Sequence, residues 1–250
     1  MRASVTLLLF LSLFGLNVSD YRFHFFVDRY LSWNDAQQHC KKNYYDLSTV
    51  REQDINTMCG NPLLKSNYFW IGALRDPTDN NRWIWSEGGD ATITFWEPGQ
   101  PNKDTEKCGT LCKLTLTLYD GTCSDHLQFY CMDVYELIVV HQRSTWEEAL
   151  EYCRKNYDDL AIINSTTIME EVKINSAAAD TDEMWTGLRF LAGGWFWVNG
   201  VAFDYNVWSS VGEPQCPPMN QRCGVYDRTQ KVCKPTDCEQ RLNFLCVKKK

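Results

Sequence analysis

The sequence predicts an α+β chain of two tandem domains, each with two helices, antiparallel sheets and long loops, stapled by disulfides. Three observations lead there. A helical cysteine opens the same string twice, as Cys40-Lys41-Lys42-Asn43-Tyr44-Tyr45-Asp46-Leu47 and as Cys153-Arg154-Lys155-Asn156-Tyr157-Asp158-Asp159-Leu160. Tryptophans recur in step: Trp33 with Trp146, Trp70 with Trp185, Trp83 and Trp85 with Trp195 and Trp197, Trp96 with Trp208. Each half also ends on three cysteines, Cys108, Cys123, Cys131 and Cys223, Cys238, Cys246. A repeat of ~110 residues far exceeds the about 20–50 of a solenoid unit, so each copy is a domain in its own right.

The first copy is expected over 21–132 and the second over 134–248, after a secretory leader at 1–19. Arg2 supplies the positive start of that leader, Val5 to Leu16 its apolar centre, and Ser19 a small residue for cleavage. The apolar run falls short of the about 20 residues of a membrane span. No second stretch approaches that length, so the expected product is secreted, extracellular and without a membrane span. Twelve cysteines, an even number, suit an oxidising compartment and brace domains whose cores are modest. The net charge of -7, with Lys248-Lys249-Lys250 as the only basic run, argues against nucleic acid as a partner. Asn164-Ser165-Thr166 is a glycosylation sequon suited to a secreted surface loop.

Within one copy, Phe23, Phe25 and Val27, or Leu137 to Val140, read as an opening strand. A helix follows. Ser32 and Thr145 stand at its N-cap, and Trp33, Ala36, Gln37, Cys40 and Trp146, Ala149, Leu150, Cys153 form one inward stripe at three- and four-residue spacing. A second helical segment is expected over 52–59 and 168–175. Beyond it lie short strands broken by Gly, Pro and Asn, in which Trp83-Ile84-Trp85 and Trp195-Phe196-Trp197 alternate large aromatics on one strand face. Tryptophans at matching places in both copies read as core packing before they read as a sugar-stacking platform.

A Trp-x-Gly motif (Trp70-Ile71-Gly72), the Trp-x-Trp strand, the loop Trp96-Glu97-Pro98-Gly99-Gln100-Pro101-Asn102 and four cysteines in family order resemble C-type lectin-like domains. The likeness covers nearly all of the chain after the leader and is similar to modules of macrophage mannose receptor-like proteins. It implies bridges Cys40–Cys131 and Cys108–Cys123 in the first domain, Cys153–Cys246 and Cys223–Cys238 in the second. Cys59, Cys112, Cys216 and Cys233 remain. Pairing within each domain, Cys59 with Cys112 and Cys216 with Cys233, is the simplest expectation, because a free thiol in an oxidising compartment invites exchange; a bridge to another chain is the alternative.

The resemblance also implies a calcium ion that side-chain oxygens share with two vicinal sugar hydroxyls. Carried over residue by residue, the first domain offers Gln100, Asn102, Glu106 and Asp120 for both metal and carbohydrate. Tyr119 stands where the family places asparagine, and two formal charges for an ion that wants six to eight oxygens predict a weak site. The Gln-Pro-Asn string mixes galactose-type and mannose-type patterns. In the second domain Gln221, Lys234 and Pro235 replace the ligand positions, and an ammonium repels a cation, so calcium is expected in the first domain only.

The expected function is that of a secreted recognition protein with weak calcium-dependent binding of a carbohydrate or glycoprotein ligand through the first domain, in innate defence or adhesion. The alternative is a calcium-independent pair that binds a protein ligand. His24, His39, His126 and His141 lie in no nucleophile or zinc motif, so no enzyme is expected.

Overall fold

The computed structural model describes residues 21–250 apart from Ala202 and Asp204, so the expected leader lies outside the described residues. The chain forms two compact units. The first comprises residues 22–134 with 165–169 and 249–250; the second comprises 135–164 and 170–248 together with Tyr21. Among the described residues no helix is long and apolar enough to cross a membrane.

In the first unit, β1 (Tyr21–Leu31) leads into the helix Trp33–Asn43. Ser32 caps it, its hydroxyl accepting from the Asp35 N–H at 3.3 Å, while Lys41 and Lys42 sit on the last turn, where the helix dipole favours positive charge. Trp33, Ala36 and Cys40 share one face and are all buried. The Trp33 indole donates to the Ile71 carbonyl and the Trp70 indole to the Leu31 carbonyl, both at 2.9 Å. These rings therefore tie helix and opening strand to the sheet. They are core, and none of their polar atoms is left for a ligand.

That sheet is built on β3 (Tyr68–Arg75), which pairs antiparallel with β4 (Trp83–Trp85) and β5 (Cys108–Cys112), while β5 pairs with β6 (Thr117–Gly121). β2 (Asp46–Leu47) pairs antiparallel with β7 (Leu127–Ser144), of which 127–134 belong to the first unit. The contact of β3 with β7 at Trp70↔Phe129 is parallel, so the expected antiparallel pairings are joined by one parallel neighbour and the sheet is mixed. Parallel neighbours need a long crossover, and the long loops and hairpin between β3 and β7 supply it. Gly109 on β5 is required where the β3–β5 register shifts: a Cβ there would lie 2.6 Å from the Ala73 Cβ.

The second unit repeats this plan. Thr145 caps the helix Trp146–Asn156 in a capping box with Glu148, and Trp146 and Trp185 donate to the Thr186 and Ser144 carbonyls. Its sheet comprises β8 (Asp159–Leu160), β9 (Glu183–Leu191), β10 (Gly194–Trp197), β11 (Cys223–Asp227), β12 (Val232–Thr236) and β13 (Leu242–Lys249). β9 and β13 again run parallel, at Phe244↔Trp185. The second helical segment differs between copies: a 3-10 turn Glu52–Asp54 and a short helix Ile55–Cys59 in one, an 11-residue helix Thr166–Ser176 in the other.

Four bridges close: Cys40–Cys131, Cys108–Cys123, Cys153–Cys246 and Cys223–Cys238. The long ones span 91 and 93 residues, and loops of that size contribute on the order of 4–5 kcal/mol through the unfolded chain. The two further bridges expected are not formed; Cys59, Cys112, Cys216 and Cys233 are free thiols. Cys59 Sγ points at the Cys112 carbonyl oxygen, 3.9 Å away, and the Cys112 thiol is hydrogen-bonded with Thr115 and Tyr68 instead. Cys233 is buried in β12, whereas Cys216 is exposed on a loop with φ of 48°.

Candidate functional site

In both units the long loop that follows the Trp-x-Trp strand hangs on one aromatic corner. Trp83 meets Trp96, and Trp195 meets Trp208, each pair with ring centroids 4.9 Å apart and planes at 61°. In the first unit the loop returns across β6: Glu97 N–H donates to the Leu118 carbonyl, and Thr117 Oγ1 to Glu97 Oε2 at 2.6 Å. Gly99, at φ of 87°, makes the turn that presents Gln100 to Asn102.

Asp120 lies under this turn with its side chain fully buried. Its carboxylate accepts from the N–H groups of Asn102 and Lys103, each at 3.1 Å, and from Arg75 Nη2 at 3.4 Å. Glu106 is engaged elsewhere, paired with Lys103 Nζ at 2.8 Å. The Asn102 side chain is exposed, and Gln100 Oε1 is buried with no hydrogen-bond partner. Tyr119 points off the opposite face of β6 from Asp120, its ring edge-on to Tyr68 at 5.4 Å. Of the four oxygen donors expected, the fold therefore brings Asp120 and the Asn102 backbone together and gives Glu106 to a lysine.

These residues do not fit calcium. The one buried carboxylate already faces a guanidinium, and an ion placed beside it would meet that positive charge at close range. Among the described residues no group of three or more His, Cys, Asp or Glu is placed to hold a metal. Gln100, Asn102, Glu106 and Asp120, the residues expected to share an ion, are thus not gathered here as one set of free oxygen donors. Arg75 and Lys103, the residues that take over the site's charge, were not singled out in the sequence. A signal existed: Arg75 ends the Trp-x-Gly strand at a place where the second copy has Phe190.

In the second unit Lys234 is an ion-pair hub, with Nζ 2.5 Å from Glu183 Oε1 and 2.8 Å from Asp227 Oδ2. Burial pushes the Asp227 carboxyl up, but hydrogen bonds from Lys234, Thr229 and the Gln230 backbone outweigh it and hold the group at about 2. Beside this hub the loop walls a cavity of about 380 Å³ with Trp208, Val211, Glu213, Pro214, Lys234 and Pro235. Trp195 anchors the loop by donating to the Pro214 carbonyl at 2.9 Å, while Val211 and Met219 are 93 % and 81 % exposed. A second concavity, about 470 Å³, lies in the first unit between half-buried Trp85 and Phe95 and the hydroxyls of Thr49, Thr92 and Thr94. The sequon residue Asn164 is half-buried just before the helix that Ser165 caps through the Ile168 N–H.

Residues 29–133 and 142–248 match the family model of the lectin C-type domain. The chain belongs to the C-type lectin domain family, whose role is lectin-like recognition. Human secretory phospholipase A2 receptor is 21% identical over 257 residues, which cover 87% of this chain and 17% of that protein. The C-type mannose receptor 2 of Rattus norvegicus is 23% identical over 267 residues, 93% of this chain and 18% of the relative. The chain thus spans less than a fifth of the length of these two relatives. Both relatives are receptors by name. Among solved structures, human lithostathine aligns with a TM-score of 0.42 at 22% identity, over 46% of this chain and 84% of its own. The C-type lectin domain of murine dendritic cell inhibitory receptor 2, solved in complex with N-glycan, aligns at 0.39 and 24%, over 46% and 94%.

Proposed function

We propose that this chain is a secreted, extracellular recognition protein that binds a carbohydrate or glycoprotein ligand through the long loops of its lectin-like domains, without a bound calcium ion. The observation that supports it is the repeated aromatic corner. Trp83–Trp96 and Trp195–Trp208 hold the two loops with the same spacing and angle, while what the loops display differs from one copy to the other. A frame that is kept while its display changes suits recognition, because specificity resides in the displayed groups and the frame limits the entropy lost on binding. Calcium is set aside because Asp120 and Glu106 already carry Arg75 and Lys103 as counter-charges.

The exposed Val211 and Met219 favour a protein surface as the partner of the second domain, since apolar side chains at a loop tip gain by being covered. The test is binding of the full chain to immobilised glycans and to a native glycoprotein compared with its deglycosylated form, each in calcium and in chelator. Equal binding in both media, weakened by deglycosylation, is the expected result. Binding that disappears in chelator refutes the calcium-free mechanism, and a ligand set indifferent to deglycosylation moves the reading to protein recognition alone.

A further inference from the structure

We propose that the first domain carries a metal-free saccharide subsite in the cavity between Trp85, Phe95 and Thr49, and that its ligand is an uncharged pyranose unit of a glycan. The inference rests on the carbohydrate reading above and says which surface of the first domain carries it. The cavity measures about 470 Å³, inside the range of about 300–1,000 Å³ common to small-molecule sites. Neither the Gln100–Asn102 turn nor Arg75, Glu106 or Asp120 lines it. Its walls are the half-buried rings of Trp85 and Phe95, and Thr92 and Thr94 are exposed at its rim. Thr49, only 6 % exposed, is the most enclosed of its three threonines, and its hydroxyl is buried with no protein group bonded to it. Rotation about χ1 moves a threonine hydroxyl between staggered positions without moving the main chain, so Thr49 can offer its O–H to a ligand. The charges around the cavity cancel. Arg22 pairs with Glu87 at 3.0 Å and Arg82 with Asp90 at 2.5 Å, while Arg51 and Glu52 are neighbours of opposite sign. An ionised ligand therefore meets no net charge, whereas a pyranose brings a C–H face for the rings and hydroxyls for the threonines.

The second copy supplies an independent comparison. The Gly72 N–H donates to the Ser48 carbonyl as the Gly187 N–H donates to the Ala161 carbonyl, both at 2.8 Å, so Ile162 stands where the first copy has Thr49. Trp85 faces Ala73 as Trp197 faces Leu188, and Ala73 and Leu188 each follow those glycines, so Trp197 stands where the first copy has Trp85. Trp197 and Ile162 are each 1 % exposed, and Trp197 packs on Phe203 with centroids 5.8 Å apart. One copy closes this place with hydrocarbon; the other opens a tryptophan and sets a hydroxyl beside it. Core packing gains nothing from that exchange, since close-packed apolar side chains are the more stable filling. The opening is also preformed. Trp85 N–H donates to the Gly89 carbonyl at 3.1 Å and Gly88 N–H to the Trp85 carbonyl at 2.9 Å, with Gly88 and Gly89 at φ of 109° and 85°, so little order is lost on binding.

Recognition here needs no metal: the sugar face stacks on Trp85 and Phe95 while its hydroxyls bond to Thr49, Thr92 and Thr94. The test uses the full chain in chelator, titrated calorimetrically with lactose, mannobiose and chitobiose as neutral probes and with sialyllactose and a heparin disaccharide as anionic ones. At least one neutral probe is expected to bind wild type with a millimolar constant, and more tightly than either anionic probe. Thr49→Val should weaken that binding about ten-fold and melt no lower than wild type, because no protein group bonds to the hydroxyl it removes. Trp85→Leu should weaken it at least as much, with melting to confirm the fold; if that chain does not fold, Thr49→Val decides alone. Thr57→Val, which removes an exposed hydroxyl outside the cavity, should bind like wild type. Wild-type binding that either cavity variant, once folded, leaves unchanged overturns the subsite and leaves the carbohydrate reading standing. A Thr49→Val chain that melts lower makes the hydroxyl structural and overturns it too, and a preference for the anionic probes overturns the ligand class. A wild-type chain indifferent to every probe overturns the subsite outright, and the comparison of native with deglycosylated glycoprotein then decides separately whether the carbohydrate reading survives.

Discussion

Replacing Asp227 by Asn should make the second domain less stable at neutral pH by an amount that vanishes in acid. In the native protein the Asp227 side chain is 4 % exposed and accepts from Lys234 Nζ at 2.8 Å, Thr229 Oγ1 at 2.6 Å and the backbone N–H groups of Thr229 and Gln230 at 2.8 and 3.0 Å. Burial alone would raise its pKa; the donors, Lys234 foremost, overcome that and hold the carboxyl at about 2 against an ordinary 3.8. The folded-state value is depressed, so the stability is fully present above the unfolded-state value and is lost as pH falls from about 4 through about 2. A gap of that size corresponds to roughly 2 kcal/mol. Asparagine keeps the size and one acceptor oxygen but removes the charge that Lys234 binds. Urea unfolding of wild type and Asp227→Asn, followed from pH 7 to pH 2, gives the difference directly. It should be about 2 kcal/mol above pH 4 and shrink towards zero near pH 2. A difference that stays constant with pH, or grows in acid, would refute the assignment of Asp227 as an ionised partner of Lys234.

Gly224→Ala should destabilise the second domain by about 2 kcal/mol or more, because the new Cβ would lie 2.5 Å from the Leu188 Cβ on the neighbouring strand. Gly194→Ala, with nothing within 4 Å of the added atom, should change stability by less than about 0.5 kcal/mol, and paired thermal melts check both. Native-state alkylation followed by mass spectrometry should label the exposed Cys216 first. Cys59, whose thiol burial pushes up to about 11, and Cys233, pushed up further by complete burial, should label only on unfolding. Rapid labelling of Cys233 in the folded chain, or recovery of Cys216 and Cys233 as one bridged peptide, would count against the free-thiol arrangement.

Much of the scaffold was legible in the sequence because its signals are local. Ser32 and Thr145 cap helices through bonds to residues three positions on, and the Trp33, Ala36, Cys40 and Trp146, Ala149, Cys153 stripes follow from 3.6-residue periodicity alone. The second helical segments were placed, but their unequal form was not, since propensity over so few residues is a weak guide. The candidate site was legible only as a set of names. Gln100, Asn102, Glu106 and Asp120 were picked out as possible oxygen donors, and nothing in their spacing showed that Lys103 would take Glu106.

Sequence by itself determined that there are two copies, where their helices begin, and which side chains line the core, because repetition, capping and periodicity are properties of neighbouring residues. Only the tertiary structure decided which charges meet beneath the loop. Arg75 and Asp120 are 45 positions apart and meet because β5 lies between β3 and β6 in a register that brings the end of one strand beside the other. That register also turns Tyr119 and Asp120 to opposite faces of β6, since successive side chains on a strand alternate. The charge at the centre of the first domain is thus set by which residues three strands bring together, and a linear reading of carboxylates and amides has no access to the guanidinium that arrives from another strand.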